Sequence, residues 1–191
     1  MYVSFFKRLL DVLLSFVAIM LLSPILIIVI LLIRLTSKGA VLYKQTRLGY
    51  KGNNFELYKF RSMYVDNNVS EKVQVFQNND QITAVGKIIR RYKIDELAQL
   101  INVFKGDMAI VGPRPCLPSL QKEFNDTAFY RLQARPGLTG LAQVNGNIFL
   151  TWEERWEFDN KYVKNITLFN DVKIIFKTVL IVLFGEEKFK K

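Results

Sequence analysis

The sequence predicts an α+β protein in two parts: a re-entrant membrane helix over residues 1–36, then a small, mostly helical domain over residues 37–191 with a short β-hairpin and interfacial amphipathic helices. Three observations carry this. Residues 12–33 hold no charged side chain, yet Ser23-Pro24 interrupts them near the middle. Two short runs rich in β-formers flank a Gly- and Asn-rich turn. Further on, apolar residues recur at helical spacing between Gly and Pro punctuation.

The apolar run is long enough to cross a hydrocarbon core of about 30 Å. No small-residue cleavage site follows it and the chain passes directly into Arg34, which argues against a signal peptide. Pro24 removes a backbone donor and crowds the preceding turn, so a helix kinks or breaks there. A kinked spanning helix is one reading, because a Ser side chain can satisfy the freed carbonyl. The flanks favour the other. Lys7 and Arg8 precede the run while Arg34 and Lys38 follow it, and cytoplasmic ends attract positive charge. With both ends on the cytoplasmic side, the segment turns back inside the membrane at Ser23 and Pro24, and Lys7, Arg8 and Asp11 lie at the membrane interface.

After a linker at Thr36-Ser37-Lys38-Gly39, Ala40-Val41-Leu42-Tyr43 and Phe55-Glu56-Leu57-Tyr58-Lys59-Phe60 read as strands around a turn at residues 49–54. Residues 66–80 are polar and aperiodic and read as a loop. Leu97, Leu100, Ile101 and Phe104 define a helix, with Asp95 at its start and Gly106 past its end. Residues 120–132 read as another helix, residues 135–140 as a turn-rich loop, and residues 152–162 as a third helix. The C-terminal apolar stretch from Val172 to Phe184, broken by Lys173 and Lys177, is too short and too charged to span; it reads as an interfacial helix or as a buried core helix.

Composition narrows the chemistry. The 191 residues include 27 Lys and Arg against 17 Asp and Glu, a net charge of +10, so the favoured partners are anionic. The basic residues are dispersed and no nucleic-acid motif occurs, so nucleic acid is not expected as a partner. The absence of histidine excludes Ser-His-Asp and Cys-His catalysis and histidine-ligated metals. A single cysteine, Cys116, excludes an internal disulfide and a cysteine-ligated zinc. Any acid–base chemistry therefore falls to carboxylates, Lys or Tyr.

Asp95-Glu96, directly after Arg90, Arg91 and Lys93, is the main candidate; plain N-capping is the alternative. Arg114 stands between Pro113 and Pro115, a rigid mount for a guanidinium facing a phosphate. Lys59 and Arg61 add positive groups on one strand, where a solvated face is the simpler reading. No Walker loop or G-x-G-x-x-G is present, so phosphate binding rests on side chains and helix ends.

Several motifs in fixed order carry a resemblance: Lys7-Arg8 with Asp11, Ser23-Pro24, Tyr58-Lys59-Phe60-Arg61-Ser62-Met63, Asp95-Glu96, Gly106-Asp107-Met108 through Gly112-Pro113-Arg114-Pro115, and Arg135-Pro136-Gly137-Leu138-Thr139-Gly140 through Gln143-Val144-Asn145-Gly146. Together they resemble the bacterial sugar transferase family, and in particular its small monotopic phosphoglycosyl transferases. The resemblance implies that residues 37–191 form a catalytic domain on the cytoplasmic face of the bacterial inner membrane. It implies transfer of a sugar 1-phosphate from a UDP-sugar to polyprenyl (undecaprenyl) phosphate, giving UMP and a polyprenyl-diphosphate-sugar, the first membrane step of glycoconjugate assembly. Asp95 would be the nucleophile, forming an aspartyl phosphosugar, and a Mg²⁺ ligand. Glu96 would be its dyad partner, and Arg114, Lys59 and Arg61 would bind substrate phosphate. Membrane lipid is a further partner, and a homo-oligomer is left open. One departure stands out: Asn147 occupies the place where family members commonly carry Arg after Val-Asn-Gly, which puts the sugar contacts, not the reaction class, in question. A membrane adaptor that binds anionic lipid without turnover is the competing function, distinguished by UMP release.

Overall fold

The computed structural model describes residues 2–64 and 81–185; the expected loop at residues 66–80 lies outside them. A single π-helical turn, Tyr2–Phe6, leads into α1 (Lys7–Thr36), 30 residues long and apolar enough to cross a membrane by length and composition. Helical assignment runs unbroken through Pro24, where the sequence predicts a break. The local reason is visible: Pro24 has no N–H for the Met20 carbonyl one turn earlier, and the Ser23 hydroxyl donates to that oxygen instead, at 2.8 Å.

The buried residues of α1 are Lys7, Asp11 and Ser15 near one end and Val29 and Ile33 near the other. Both groups pack on the same domain. Lys7 Nζ lies 2.7 Å from Asp171 Oδ2, and Asp11 Oδ1 accepts from the Ile110 backbone N–H at 2.9 Å. Arg8 donates to the carbonyls of Val103 and Phe104 at 2.6 and 2.9 Å. At the far end Val29 and Ile33 join Phe60, Ile89 and Ala98 in one apolar cluster. The basic and acidic residues expected at the membrane interface are therefore engaged by protein groups; Lys7 and Asp11 are 9% and 5% exposed. Between the two ends, large apolar side chains such as Phe16, Met20, Leu21, Ile27 and Ile28 lie exposed.

Strands β1 (Leu42–Leu48) and β2 (Asn54–Phe60) form the expected antiparallel hairpin, with Leu42 opposite Phe60 and Leu48 opposite Asn54. The first strand begins two residues later than its apolar pattern suggests and runs on through Gln45, Thr46 and Arg47, because the hairpin register extends pairing to the turn. Helix α2 (Ala84–Arg91) is capped by Thr83, whose hydroxyl accepts from the Gly86 N–H; the sequence reading leaves this helix out. The next helical stretch starts as a 3-10 segment, Ile94–Gln99, and continues as α3 (Leu100–Lys105), ending at Gly106 in the left-handed region, φ 103°.

Residues 106–140 depart most from the sequence reading. The three-residue strands β3 (Ala109–Val111) and β4 (Gly137–Thr139) pair in parallel, where the sequence suggests only turn-rich loops. Strands this short carry no periodicity to read. Their contact needs glycine: a Cβ on Gly137 would lie 2.1 Å from the Gly112 nitrogen, and one on Gly112 would lie 2.3 Å from the Arg135 carbonyl oxygen. The single helix expected over residues 120–132 is instead a 3-10 turn, Pro118–Glu123, a short α4 (Asp126–Phe129), and a second 3-10 turn, Tyr130–Gln133. The Asn125 side chain accepts from the Ala128 N–H and restarts the helix there, which divides the stretch.

Helix α5 (Trp152–Lys164) has a full capping box between Thr151 and Glu154, worth about 1 kcal/mol. Helix α6 (Leu168–Phe184) covers the C-terminal apolar stretch and buries one stripe of it in the domain. Ile174 and Ile181 are buried with Val111, Val144 and Tyr162, while Phe169, Val172, Phe176 and Leu183 stay exposed on an apolar face.

Candidate active site

The site forms where β2, the Ile94–Gln99 segment and the chain after β3 meet. Asn102 fixes the first two together. It is fully buried and completes the outer edge of β2, accepting from the Tyr58 N–H at 3.0 Å and donating to the Glu56 carbonyl at 2.7 Å. With the helix pinned to the strand, Lys59 on β2 reaches Glu96, Nζ to Oε1, at 3.0 Å.

Asp95 does not sit at the N-cap. That position falls on Lys93, in the left-handed region at φ 55°, and its side chain makes no capping bond. Asp95 is 8% exposed. Burial, and then the neighbouring Glu96 charge, push its pKa above the usual carboxylate range. Glu96 shows the opposite behaviour. Burial alone would raise it, but Arg114 and Lys59 together outweigh burial and hold it well below that range. Two adjacent carboxylates are thus driven apart by their surroundings, the pattern expected where acids take different roles.

Arg114 enters from the Gly112–Pro115 segment. That segment is anchored by Gly112 N–H to the Thr139 carbonyl and by Gly137 N–H to the Pro113 carbonyl, both at 2.9 Å. Arg114 Nη2 donates to Glu96 Oε1 at 2.8 Å, the same oxygen that Lys59 holds. The backbone of Arg114 is secured too, because Arg131 Nη2 donates to its carbonyl at 2.5 Å while pairing with Asp159 Oδ2 at 3.1 Å.

Of the residues singled out in the sequence, the fold brings Asp95, Glu96, Lys59 and Arg114 together. Arg61 is used elsewhere: it is 7% exposed and donates to the carbonyl and hydroxyl of Ser37, both at 2.8 Å, tying the end of β2 to the linker after α1. Asn102, Arg131 and Asp159 escape a reading of the sequence. Arg131 and Asp159 lie far apart in the chain with no shared pattern. Asp159 does fall on the buried stripe of α5 with Trp156 and Tyr162, and a charge on a buried stripe is the one signal available.

Comparison with known proteins places the chain in a family. The bacterial sugar transferase family model matches residues 2–185. The exopolysaccharide production protein ExoY of Rhizobium meliloti (strain 1021) is 36% identical over 188 residues, covering 91% of this chain and 83% of that protein. The UDP-glucose:undecaprenyl-phosphate glucose-1-phosphate transferase of Klebsiella pneumoniae is 38% identical over 182 residues, covering 91% of this chain and 39% of that protein. The undecaprenyl-phosphate galactose phosphotransferase of Salmonella typhimurium is 40% identical over 195 residues, covering 94% and 40%. The chain thus spans most of the first relative and about two-fifths of the other two. A match over nearly its whole length, by the family model and by relatives above 30% identity, means that this chain belongs to the bacterial sugar transferase family.

Proposed function

We propose that the protein transfers a sugar 1-phosphate from a UDP-sugar to undecaprenyl phosphate at the cytoplasmic face of the bacterial inner membrane, through a covalent intermediate on Asp95. The observation that carries this is the buried Asp95 beside a Glu96 held ionised by Lys59 and Arg114. The names of the Klebsiella and Salmonella relatives support the substrate classes.

In the first half-reaction an Asp95 carboxylate oxygen attacks the sugar-linked phosphorus. The new P–O bond forms as the bond to the UMP oxygen breaks, and UMP leaves with that electron pair. In the second, a phosphate oxygen of the lipid attacks the same phosphorus and the aspartyl oxygen departs, restoring the carboxylate. Arg114 and Lys59 offset the negative charge gathering around Glu96 and the phosphoryl group. Glu96 positions these two cations through Oε1.

No three acidic, cysteine or histidine side chains converge to hold a metal among the described residues. The Asp95-Glu96 oxygens nonetheless suit Mg²⁺, which commonly takes one or two carboxylates with substrate phosphates and water. Bound at Asp95, the ion would supply Lewis-acid neutralisation of phosphate charge.

The contacts of α1 support the re-entrant membrane arrangement. A 30-residue helix measures about 45 Å, yet groups near both of its ends contact one small domain. A spanning helix would put those contacts on opposite sides of the bilayer. The re-entrant reading keeps both ends on one side and inserts the exposed apolar middle, with the apolar face of α6 lying at the interface.

The chemistry is tested by incubating the protein with a UDP-sugar and Mg²⁺ but no lipid acceptor. UMP is expected to reach about one equivalent, with a phosphosugar adduct on the peptide containing Asp95, and Asp95→Asn abolishes both. UMP that appears only after lipid is added, with no trapped adduct, would replace the covalent route with direct transfer.

A further inference from the structure

Arg114 has two arginine neighbours that the transfer reading leaves without a task. Arg155 lies on α5 one turn before Asp159, the residue that pairs with Arg131 at the Arg114 carbonyl, and so shares a helix face with it. Its Nε donates to the Asn147 carbonyl at 3.1 Å and its guanidinium lies 4.6 Å from the centre of the Trp152 ring. These two contacts fix the plane of the guanidinium. Arg47 lies near the end of β1, where the next residue, Leu48, donates its N–H to the carbonyl of Cys116, two residues past Arg114. Arg47 Nη2 donates to Gln45 Oε1 at 2.6 Å, while its Nε is buried without a partner.

The neighbourhood therefore carries more positive than negative charge. Glu96 is taken by Lys59 and Arg114, and Asp159 by Arg131. Among the described residues neither Arg47 nor Arg155 forms a close ion pair with a carboxylate; only the longer-range pull of Glu96 on Arg47 and of Asp159 on Arg155 acts on them. We propose that Arg155 and Arg47 flank Arg114 to form a second anion subsite, one that grips a phosphate group of a substrate beyond the phosphorus that Asp95 attacks. The proposal rests on the transfer reading for the identity of the ligand, either the diphosphate of the sugar nucleotide or the monoester of the lipid acceptor.

Two physical arguments support it. Both guanidiniums have pKa values pushed down, first by burial and then by the Arg114 charge, with Arg131 adding to the effect on Arg155. Folding thus crowds like charges together, and a bound phosphate relieves that crowding. Arginine, with its planar fork, is also the side chain suited to bidentate contact with phosphate. A phosphate seated here would have Arg114 on its Glu96 side, which links the subsite to the reacting centre.

The test uses the full chain in detergent, with inorganic pyrophosphate, UDP and Mg²⁺ as calorimetric probes, alongside KM for the UDP-sugar and for undecaprenyl phosphate. Arg155→Gln should weaken pyrophosphate binding about tenfold or more while thermal unfolding stays near the wild type. A matching loss for UDP with a raised donor KM assigns the subsite to the nucleotide; a raised KM for the lipid alone assigns it to the acceptor. Should Arg155→Gln fail to fold, Arg47→Gln is read in the same way. Folded variants in which pyrophosphate affinity and both KM values stay unchanged would overturn the subsite. A wild type that releases no UMP from any UDP-sugar sinks the transfer reading instead, and pyrophosphate affinity then still reports on the subsite alone.

Discussion

Arg114 Nη2 stands 2.8 Å from Glu96 Oε1 across 18 positions of sequence, on a segment whose own carbonyl is held by Arg131. This contact closes the site: it joins the chain after β3 to the helical segment bearing Asp95, and the Glu96 oxygen it uses is shared with Lys59.

The geometry predicts that Arg114→Lys loses transfer activity although the charge is kept. An ammonium on a flexible stem cannot reproduce a guanidinium that meets Glu96 and a phosphate together, so kcat/KM should fall about tenfold or more with folding intact. Near-normal turnover by the lysine variant would reduce the role of Arg114 to charge alone.

Asp171 should matter to stability more than any surface acid. Its two oxygens accept from Lys7 Nζ, the Tyr2 hydroxyl and the Tyr162 hydroxyl, each at 2.7 Å, and the Tyr162 oxygen also lies 3.0 Å from the Val111 carbonyl oxygen. Asp171→Leu leaves Lys7 buried with only the 3.9 Å contact to Asp11 Oδ2, a loss of roughly 3 kcal/mol. Adding Lys7→Met should recover part of it, because the stranded charge is gone. Denaturant titration in detergent reads both variants, and equal stability of the single and double variants would show that the pair is not coupled.

Both termini should be reachable from the cytoplasm only. Labelling of tags at each end in intact cells and in inverted vesicles checks this, and a tag labelled from the periplasm sinks the re-entrant arrangement. Ser23→Ala leaves the Met20 carbonyl without its hydroxyl partner, and Pro24→Ala restores an N–H to it, so the second change should shift the population towards a spanning helix.

The pH dependence of stability should carry a signature of Asp159. Burial, partly offset by Arg131 and Arg155, pushes this carboxyl up from 3.8 to about 6. Between those values the folded chain keeps a proton that the unfolded chain has released. Its stabilising contribution is therefore complete below pH 3.8 and is lost as pH rises through about 6. Relative to Asp159→Asn, wild-type stability should decline from pH 4 to about 6 and level off above about 7. A rise across that interval would mean that the ion pair with Arg131 outweighs burial.

Local chemistry made part of this molecule legible from the start. The membrane helix, the hairpin, α5, the candidate carboxylates at Asp95-Glu96 and the mount of Arg114 rest on apolar run length, alternation, helical period and φ-locked proline, all properties of neighbouring residues. The sequence by itself therefore determined which groups are candidates for the chemistry, and its motif order pointed to the family. Tertiary structure decided which charges face one another. Lys59, Glu96 and Arg114 meet only because Asn102 pins α3 to β2 and because Gly112 and Gly137 let two three-residue strands come into contact. Arg61 went to Ser37, Lys7 to Asp171 and Arg131 to Asp159, since a buried charge must find a partner wherever the folded chain offers one, and sequence spacing carries no record of that choice.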